Sequence, residues 1–298
     1  MKYNPLGNSD LRVSEVSYGC MSLGDAHQTN ARLLHQALDK GINLFDTADL
    51  YQKGQNEETV GKAFKGMRQA VTLATKVGNQ WRADGSGWDW NPTKVYILRA
   101  AEESLKRLQT DYIDLYQLHG GTIDDPMDET IAAFEQLQQQ GKIRYYGISS
   151  IRPQVIREYV NRSRIVSVML PYSLLDRRPE ETCLALLQAR RIGVLARGSV
   201  AQGLLIDKPA TPYLDYSPEE VERAARAVQA LTNQERSTAQ VAIRFVLHAP
   251  AVTSAVLGVR TAEQLEEGIS SVRLPPLSGQ EIETLRQAVK ANIYAQHR

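Results

Sequence analysis

The sequence predicts a single α/β domain over residues 1–298, a (β/α)8 barrel of the TIM type, and three observations carry that expectation. Eight strand-like runs are spaced along the whole chain. Amphipathic segments separate them, so neighbouring strands run parallel through right-handed crossovers. No glycine-rich dinucleotide fingerprint follows the first strand, where "YGCMSLG" stands, and this disfavours an open doubly wound sheet.

The expected strands are "VSEVSYG" (13–19), "INLFDTA" (42–48), "AVTLATKV" (70–77), "YIDLYQLH" (112–119), "IRYYGIS" (143–149), "IVSVML" (165–170), "IGVLAR" (192–197) and "VTSAVLG" (252–258). Apolar residues recur at three- and four-residue spacing in "VYILRAAEESLKRLQ", "DETIAAFEQLQQQG" and "PEETCLALLQARR", which marks them as helices. Asn91 and Pro92 open one helix, Gly141 closes another, and "RPEE" places a proline and acids in a first turn. The stretch 209–220, "PATPYLDYSPEE", reads as a surface excursion after the seventh strand. The stretch 277–298 reads as a C-terminal helix. Residues 79–93 hold all three tryptophans and read as a loop overhanging the barrel mouth, where it either shapes a substrate pocket or packs on the rim.

With 42% hydrophobic and 23% charged residues, the chain has the composition of a folded domain with a large core. The net charge is +1 and the basic residues are scattered, so neither nucleic acid nor a membrane surface is expected as a partner. No run is long and apolar enough to span a bilayer, and the polar opening lacks a signal-peptide core, so a cytoplasmic location is expected. Cys20 and Cys183 are too few for a disulfide framework and read as reduced thiols, Cys20 as a small residue ending the first strand. The five histidines form no HxH or HExxH pair, so no metal site is expected. The oligomeric state is not fixed by these features, and a monomer is compatible with them.

In a barrel of this kind, function sits at the C-terminal ends of the strands. Strand two delivers Asp46, with Tyr51 in its loop; strand three delivers Lys76; strand four delivers His119. A phenol has an ordinary pKa near 10 and is a poor acid at neutral pH. A lysine ammonium beside it stabilises phenolate character, and a carboxylate keeps that lysine charged and aimed. His119 could hydrogen-bond a carbonyl oxygen. The set suits protonation of a carbonyl oxygen as it becomes an alcohol. Each residue also has a plainer reading: Asp46 as a cap, Tyr51 as packing, His119 as a loop residue, with Thr47 and Asp49 shaping the turn. Lys76 at a strand end also fits Schiff-base chemistry, so a class I aldolase is a second enzymatic reading.

An ordered series of motifs covers nearly the whole chain: "LGNSDLRVSEVSYGCMSLG", "GINLFDTADLYQKGQNEETVGKAF", "LATKVG", "SLKRLQTDYIDLYQLH", "GKIRYYGISS", "PYSLLDRR", "ARGSVAQGLL" and "LGVRTAEQLEEGI". The chain resembles the aldo-keto reductase family, in its bacterial general-stress, YqkF-like group. That resemblance implies an NADPH-dependent reductase of small aldehydes or ketones on a (β/α)8 barrel, working without a metal. Tyr51 would be the general acid, Asp46 and Lys76 the pair that tunes it, and His119 the group that orients the carbonyl. A nucleotide-binding sensor or regulatory subunit with little turnover, on the same fold, is the reading from another class.

The resemblance also implies the cofactor positions. Arg260 would face the ribose 2′-phosphate, and Gln264 and Glu267 would hold the adenosine. Gly268 stands at the family's asparagine. An arginine at 260 favours NADPH over NADH, because its planar fork pairs with phosphate. Met21 and Gly258 lie at flanking strand ends. Ser149 is retained for the nicotinamide carboxamide, while Ser150 replaces an asparagine and Met169 a glutamine. Arg197 takes the place of the ring-stacking aromatic, and the loop with Gly198, Val200 and Gly203 would run beside the pyrophosphate.

Overall fold

The computed structural model describes residues 1–298. Eight parallel strands close into a barrel: β1 (Val16–Gly19), β2 (Leu44–Asp46), β3 (Thr72–Val77), β4 (Ile113–Leu118), β5 (Ile143–Ser149), β6 (Ser167–Pro171), β7 (Gly193–Arg197) and β8 (Val252–Gly258). β8 pairs with β1, so no sheet edge remains and the open-sheet alternative is excluded. Around them lie α1 (His27–Asp39), α2 (Gln55–Ala63), α3 (Lys94–Leu108), α4 (Met127–Gln139), α5 (Pro153–Arg162), α6 (Cys183–Ala189), α7 (Pro218–Ala230), α8 (Thr238–Leu247), α9 (Ala262–Arg273) and α10 (Gly279–Ala288). α7 and α10 are additional to the eightfold alternation and pack on each other.

Alternation along each strand sorts the side chains into two cores. Outward residues meet the helices: the Phe45 and Phe64 rings lie 4.5 Å apart, and Phe134 stacks on Tyr146 at 5.4 Å. Inward residues Leu44, Ala74, Leu115, Met169, Leu195 and Val256 form a separate buried cluster with Leu6, Leu11 and Val13. Leu6, Leu11 and Val13 belong to a short antiparallel hairpin, Tyr3–Pro5 with Arg12–Ser14, that plugs the barrel floor. Two residues further along the same strands, the inward positions become Asp46, Lys76, Gln117 and Arg197. The apolar layer below and the polar layer above therefore follow from one strand period.

All eight expected strands are present, with local corrections. The run 13–19 is two strands, because the chain turns at Glu15 between the floor hairpin and β1. Residues 79–93 are not an irregular loop: Asn79–Trp81 and Trp88–Trp90 form a rim hairpin, tied by a bidentate Arg82–Asp89 contact. "RPEE" does not start the sixth helix, since Arg178–Glu180 form a separate turn and α6 begins at Cys183. The excursion after β7 ends earlier than expected, because Ser217 and Glu220 close a capping box that starts α7. The C-terminal helix stops at Ala288, and the tail after it has no regular secondary structure. There Asn292 accepts from the Arg177 N–H and the carbonyl of His297 accepts from the Gln154 N–H. No helix is long and apolar enough to cross a membrane.

Candidate active site

The inward positions at the ends of β2 and β3 are occupied by Asp46 and Lys76, both buried. Lys76 Nζ donates to Asp46 Oδ2 at 2.5 Å, to the Thr47 carbonyl at 2.7 Å and to Tyr51 Oη at 3.1 Å. An ammonium has three N–H donors, and all three are used. A Schiff-base lysine needs a free lone pair, so this arrangement argues against the aldolase reading. Burial works against the Lys76 charge, but Asp46, and then Tyr51, more than offset it and hold its pKa above the ordinary lysine range. Asp46 caps no helix, since its two oxygens are taken by Lys76 and by Gln117 Nε2 at 3.1 Å.

Because Lys76 donates to the Tyr51 oxygen, the phenol hydrogen is left free for another acceptor. The chain reaches this position through an unusual turn. Gln52, Lys53 and Gly54 follow Tyr51 with φ of 50°, 55° and 90°. A left-handed conformation costs a non-glycine residue roughly 1–2 kcal/mol, so Gln52 and Lys53 must be held in place. The rim hairpin supplies part of that hold. Trp81 Nε1 donates to the Leu50 carbonyl at 3.2 Å, and Lys53 Nζ donates to the Gly85 carbonyl at 3.3 Å while lying over the Trp81 ring. Trp90 instead packs on the barrel rim, where a Cβ at Gly78 would come within 2.5 Å of its ring and one at Gly120 within 3.3 Å. The rim-packing reading therefore holds for Trp90, while Trp81 does something neither reading foresaw and braces the turn that carries Tyr51.

Thr47 and Asp49 shape that turn, as expected. Thr47 Oγ1 donates to Asn56 Oδ1 at 2.6 Å, and the Asp49 N–H reaches the Lys76 carbonyl at 3.4 Å. Burial, and then the nearby Glu57, push the Asp49 carboxyl well above the usual carboxylate range.

His119 follows β4, and its ring stands edge-on to Tyr51, with centroids 5.8 Å apart and planes at 84°. Its N–H donates to the Val77 carbonyl at 2.7 Å and its carbonyl accepts from Asn79 Nδ2 at 3.1 Å, which fixes the backbone that aims the ring. Burial, then the Lys76 and Arg197 charges, lower its pKa to about 3. The imidazole is therefore neutral at physiological pH. Nδ1 is buried without a partner, so Nε2 is the ring nitrogen that remains accessible. The structure thus brings Asp46, Tyr51, Lys76 and His119 together.

The sequence profile of the Aldo/keto reductase family matches residues 15–290. The chain belongs to this family. It is 49% identical to the uncharacterized oxidoreductase YqkF of Bacillus subtilis, with full coverage of both chains. It is 31% identical to the aldo-keto reductase YhdN of the same organism, over 89% of this chain and 87% of YhdN. The holo form of the aldo-keto reductase AKR11C1 from Bacillus halodurans superposes with a TM-score of 0.94 at 48% identity, covering 100% of this chain and 99% of that one. These likenesses place this aldo-keto reductase in the YqkF-like group.

The remaining positions of this aldo-keto reductase separate into two sets. Arg260 is exposed without an ion pair and lines a cavity of about 400 Å³ with Met21, Ser22, Gly24, Asp25 and Val259. Met21 is 68% exposed there. Gln264 turns its side-chain oxygen back to the Arg260 N–H at 2.9 Å, and Glu267 accepts from Ser237 Oγ at 2.5 Å. Gly268 is buried, and a Cβ there would lie 2.6 Å from Leu257 Cδ1, so an asparagine would have to displace that side chain.

Arg197, at the end of β7, is also exposed without an ion pair. After it, the N–H groups of Gly198, Ser199 and Val200 find no partner within the protein, and the Ser199 hydroxyl is buried without one. Gly198 and Gly203 have φ of +76° and +95°, which lets this loop fold tightly. Ser149 and Ser150 are buried at the end of β5, where Ser150 Oγ accepts from the Arg152 N–H. Gly258 ends β8 beside Ser22, whose Oγ would be 2.4 Å from an added Cβ. Met169 lies in the apolar barrel interior, so its role is packing.

Sequence reasoning missed Gln117 and the Trp81–Lys53 brace. Gln117 had a readable signal: it lies two residues from Leu115 and two from His119, so it shares their inward parity.

Proposed function

We propose that this aldo-keto reductase reduces the carbonyl of small aldehydes or ketones with NADPH, with Asp46, Tyr51, Lys76 and His119 as the catalytic group. The observation that supports this best is the saturated Lys76 ammonium between a buried carboxylate and the Tyr51 oxygen. As the carbonyl carbon is reduced, its oxygen accumulates negative charge and takes the Tyr51 proton. Lys76 stabilises the phenolate that remains, Asp46 holds Lys76 in place, and solvent returns the proton. Neutral His119 can donate its one N–H to the carbonyl oxygen, which orients the substrate without competing as an acid.

The residues present fit a dinucleotide. Unpaired Arg197 and Arg260, the free amides of Gly198, Ser199 and Val200 and the unpartnered Ser199 hydroxyl form a donor set suited to a phosphate-rich ligand. When bound, NADPH supplies the hydride. Arg197 and the 198–203 loop, with Val200 and Gly203, would hold its nicotinamide and pyrophosphate end, and Ser149 its carboxamide. Met21, Gly258, Arg260, Gln264, Glu267 and Gly268 would border its remaining length, with Arg260 on the 2′-phosphate. For Gln264 and Glu267 to take the adenosine, each must give up the protein contact it now makes.

Arg260→Ala is expected to weaken NADPH binding by about tenfold or more while leaving NADH affinity unchanged, because only NADPH carries the phosphate that a guanidinium pairs with. Titrating protein fluorescence with each nucleotide checks this. An unchanged affinity ratio removes Arg260 from that role. The overall reading is tested by mixing the protein with NADPH and a panel of aldehydes and ketones and following NADPH absorbance.

A further inference from the structure

We infer that Gln117 is a positioning residue for proton transfer, holding one oxygen of Asp46 so that the other stays on Lys76; this rests on the reading of Tyr51 as the acid. Gln117 is fully buried on β4, in register with Lys76 on β3. Its Nε2–H donates to Asp46 Oδ1 at 3.1 Å, and no other donor in the protein reaches that oxygen. Asp46 Oδ2 is the oxygen that takes Lys76. The two donors approach different oxygens from adjacent strands, which fixes the rotation of the carboxylate.

The other end of the amide explains why this is not simply packing. Gln117 Oε1 is buried with no partner. Leaving a buried carbonyl unpaired is unfavourable, and methionine or leucine at this inward position would avoid it. The positions below on the same face, Leu115 and its neighbours, are apolar. A residue that breaks the local rule while placing its one useful donor on a site carboxylate is better explained by that contact than by stability.

The consequence is a pH dependence. The titratable and charged groups around Asp46 are Lys76 from β3, Tyr51 from the β2 loop, His119 after β4, Arg197 at the end of β7 and the buried Cys20 thiol after β1. Hydrogen bonds to a carboxylate favour its charged form, and Gln117 supplies one of only two side-chain donors. If Asp46 takes up a proton, Lys76 loses the anion that aims it at Tyr51. Burial pushes the Asp46 carboxyl up, Lys76 and then Gln117 draw it back down, and Gln117 thus helps to set how far the pH can fall before turnover fails.

The test is the pH dependence of kcat in Gln117→Met, which keeps the volume and removes the donor, and in Gln117→Leu, a less bulky apolar replacement should the first variant fail to fold. Both raise the proton affinity of Asp46 by removing a hydrogen bond to its charged form. The acidic limb of kcat is expected to move up by about one pH unit or more, a tenfold change in proton affinity, with KM and the NADPH dissociation constant within about twofold of the parent. An unmoved limb in a variant that binds NADPH normally overturns the inference and leaves the reductase reading intact. If the parent protein binds NADPH but does not oxidise it with any carbonyl of the panel, the reductase reading fails and takes this one with it.

Discussion

Tyr51→Phe is expected to lower kcat by about 10³-fold, within the range that general acid catalysis contributes, while the NADPH dissociation constant stays within about twofold. The substitution removes one oxygen and keeps the ring that stands edge-on to His119. It also leaves the Trp81 contact to Leu50 and the Lys53 contact to Gly85 untouched, so the strained turn is preserved. What disappears is the hydroxyl that accepts from Lys76 and offers its hydrogen to the mouth. Single-turnover absorbance of the prebound NADPH complex, alongside fluorescence titration of the cofactor, separates chemistry from binding. Near-parental turnover would assign the proton to another donor.

Lys76→Met should have a comparably large effect on turnover and a further one on folding. The lysine and Asp46 are both buried, and removing one member of such a pair leaves an uncompensated charge that costs about 3–5 kcal/mol. Adding Asp46→Leu should recover much of that stability, because the stranded carboxylate is gone, yet restore no activity. Urea unfolding of the parent, the single and the double variant measures the first effect and NADPH consumption the second. If the single variant is as stable as the parent, the Lys76–Asp46 contact does not have the strength assigned to it. If the double variant regains turnover, the pair is structural and the chemistry lies elsewhere.

The barrel was legible because its strands, buried on both faces, read as short apolar runs ending in polar residues. Asp46, Lys76 and His119 stood out for the same reason, and Tyr51 followed from the loop after Asp46. What the runs do not state is parity. Met169 and Gln117 are each one inward position on a strand: only the closed register shows that Met169 joins Leu44, Ala74 and Leu195 below, while Gln117 rises to Asp46 above. The break at Glu15 was hidden because "VSEVSYG" is continuously strand-like on both sides of the bend. The rim hairpin was hidden because its strands are three residues long and its stability comes from tertiary contacts, through Trp81 and Trp90. The start of α7 was readable from "SPEE" as a capping box, but the preceding proline-rich stretch drew it into the loop. Where Gln264 and Glu267 place their side chains depends on Arg260 and Ser237, and neither contact follows from helical spacing.

The most direct test of the central claim is transfer of label from NADPH deuterated at the nicotinamide C4 to a panel of aldehydes and ketones. The account predicts one alcohol formed per NADPH consumed, with deuterium on the former carbonyl carbon, and loss of this transfer in Tyr51→Phe. Tight NADPH binding with no oxidation against any carbonyl would contradict it and leave a nucleotide-binding protein built on the same barrel.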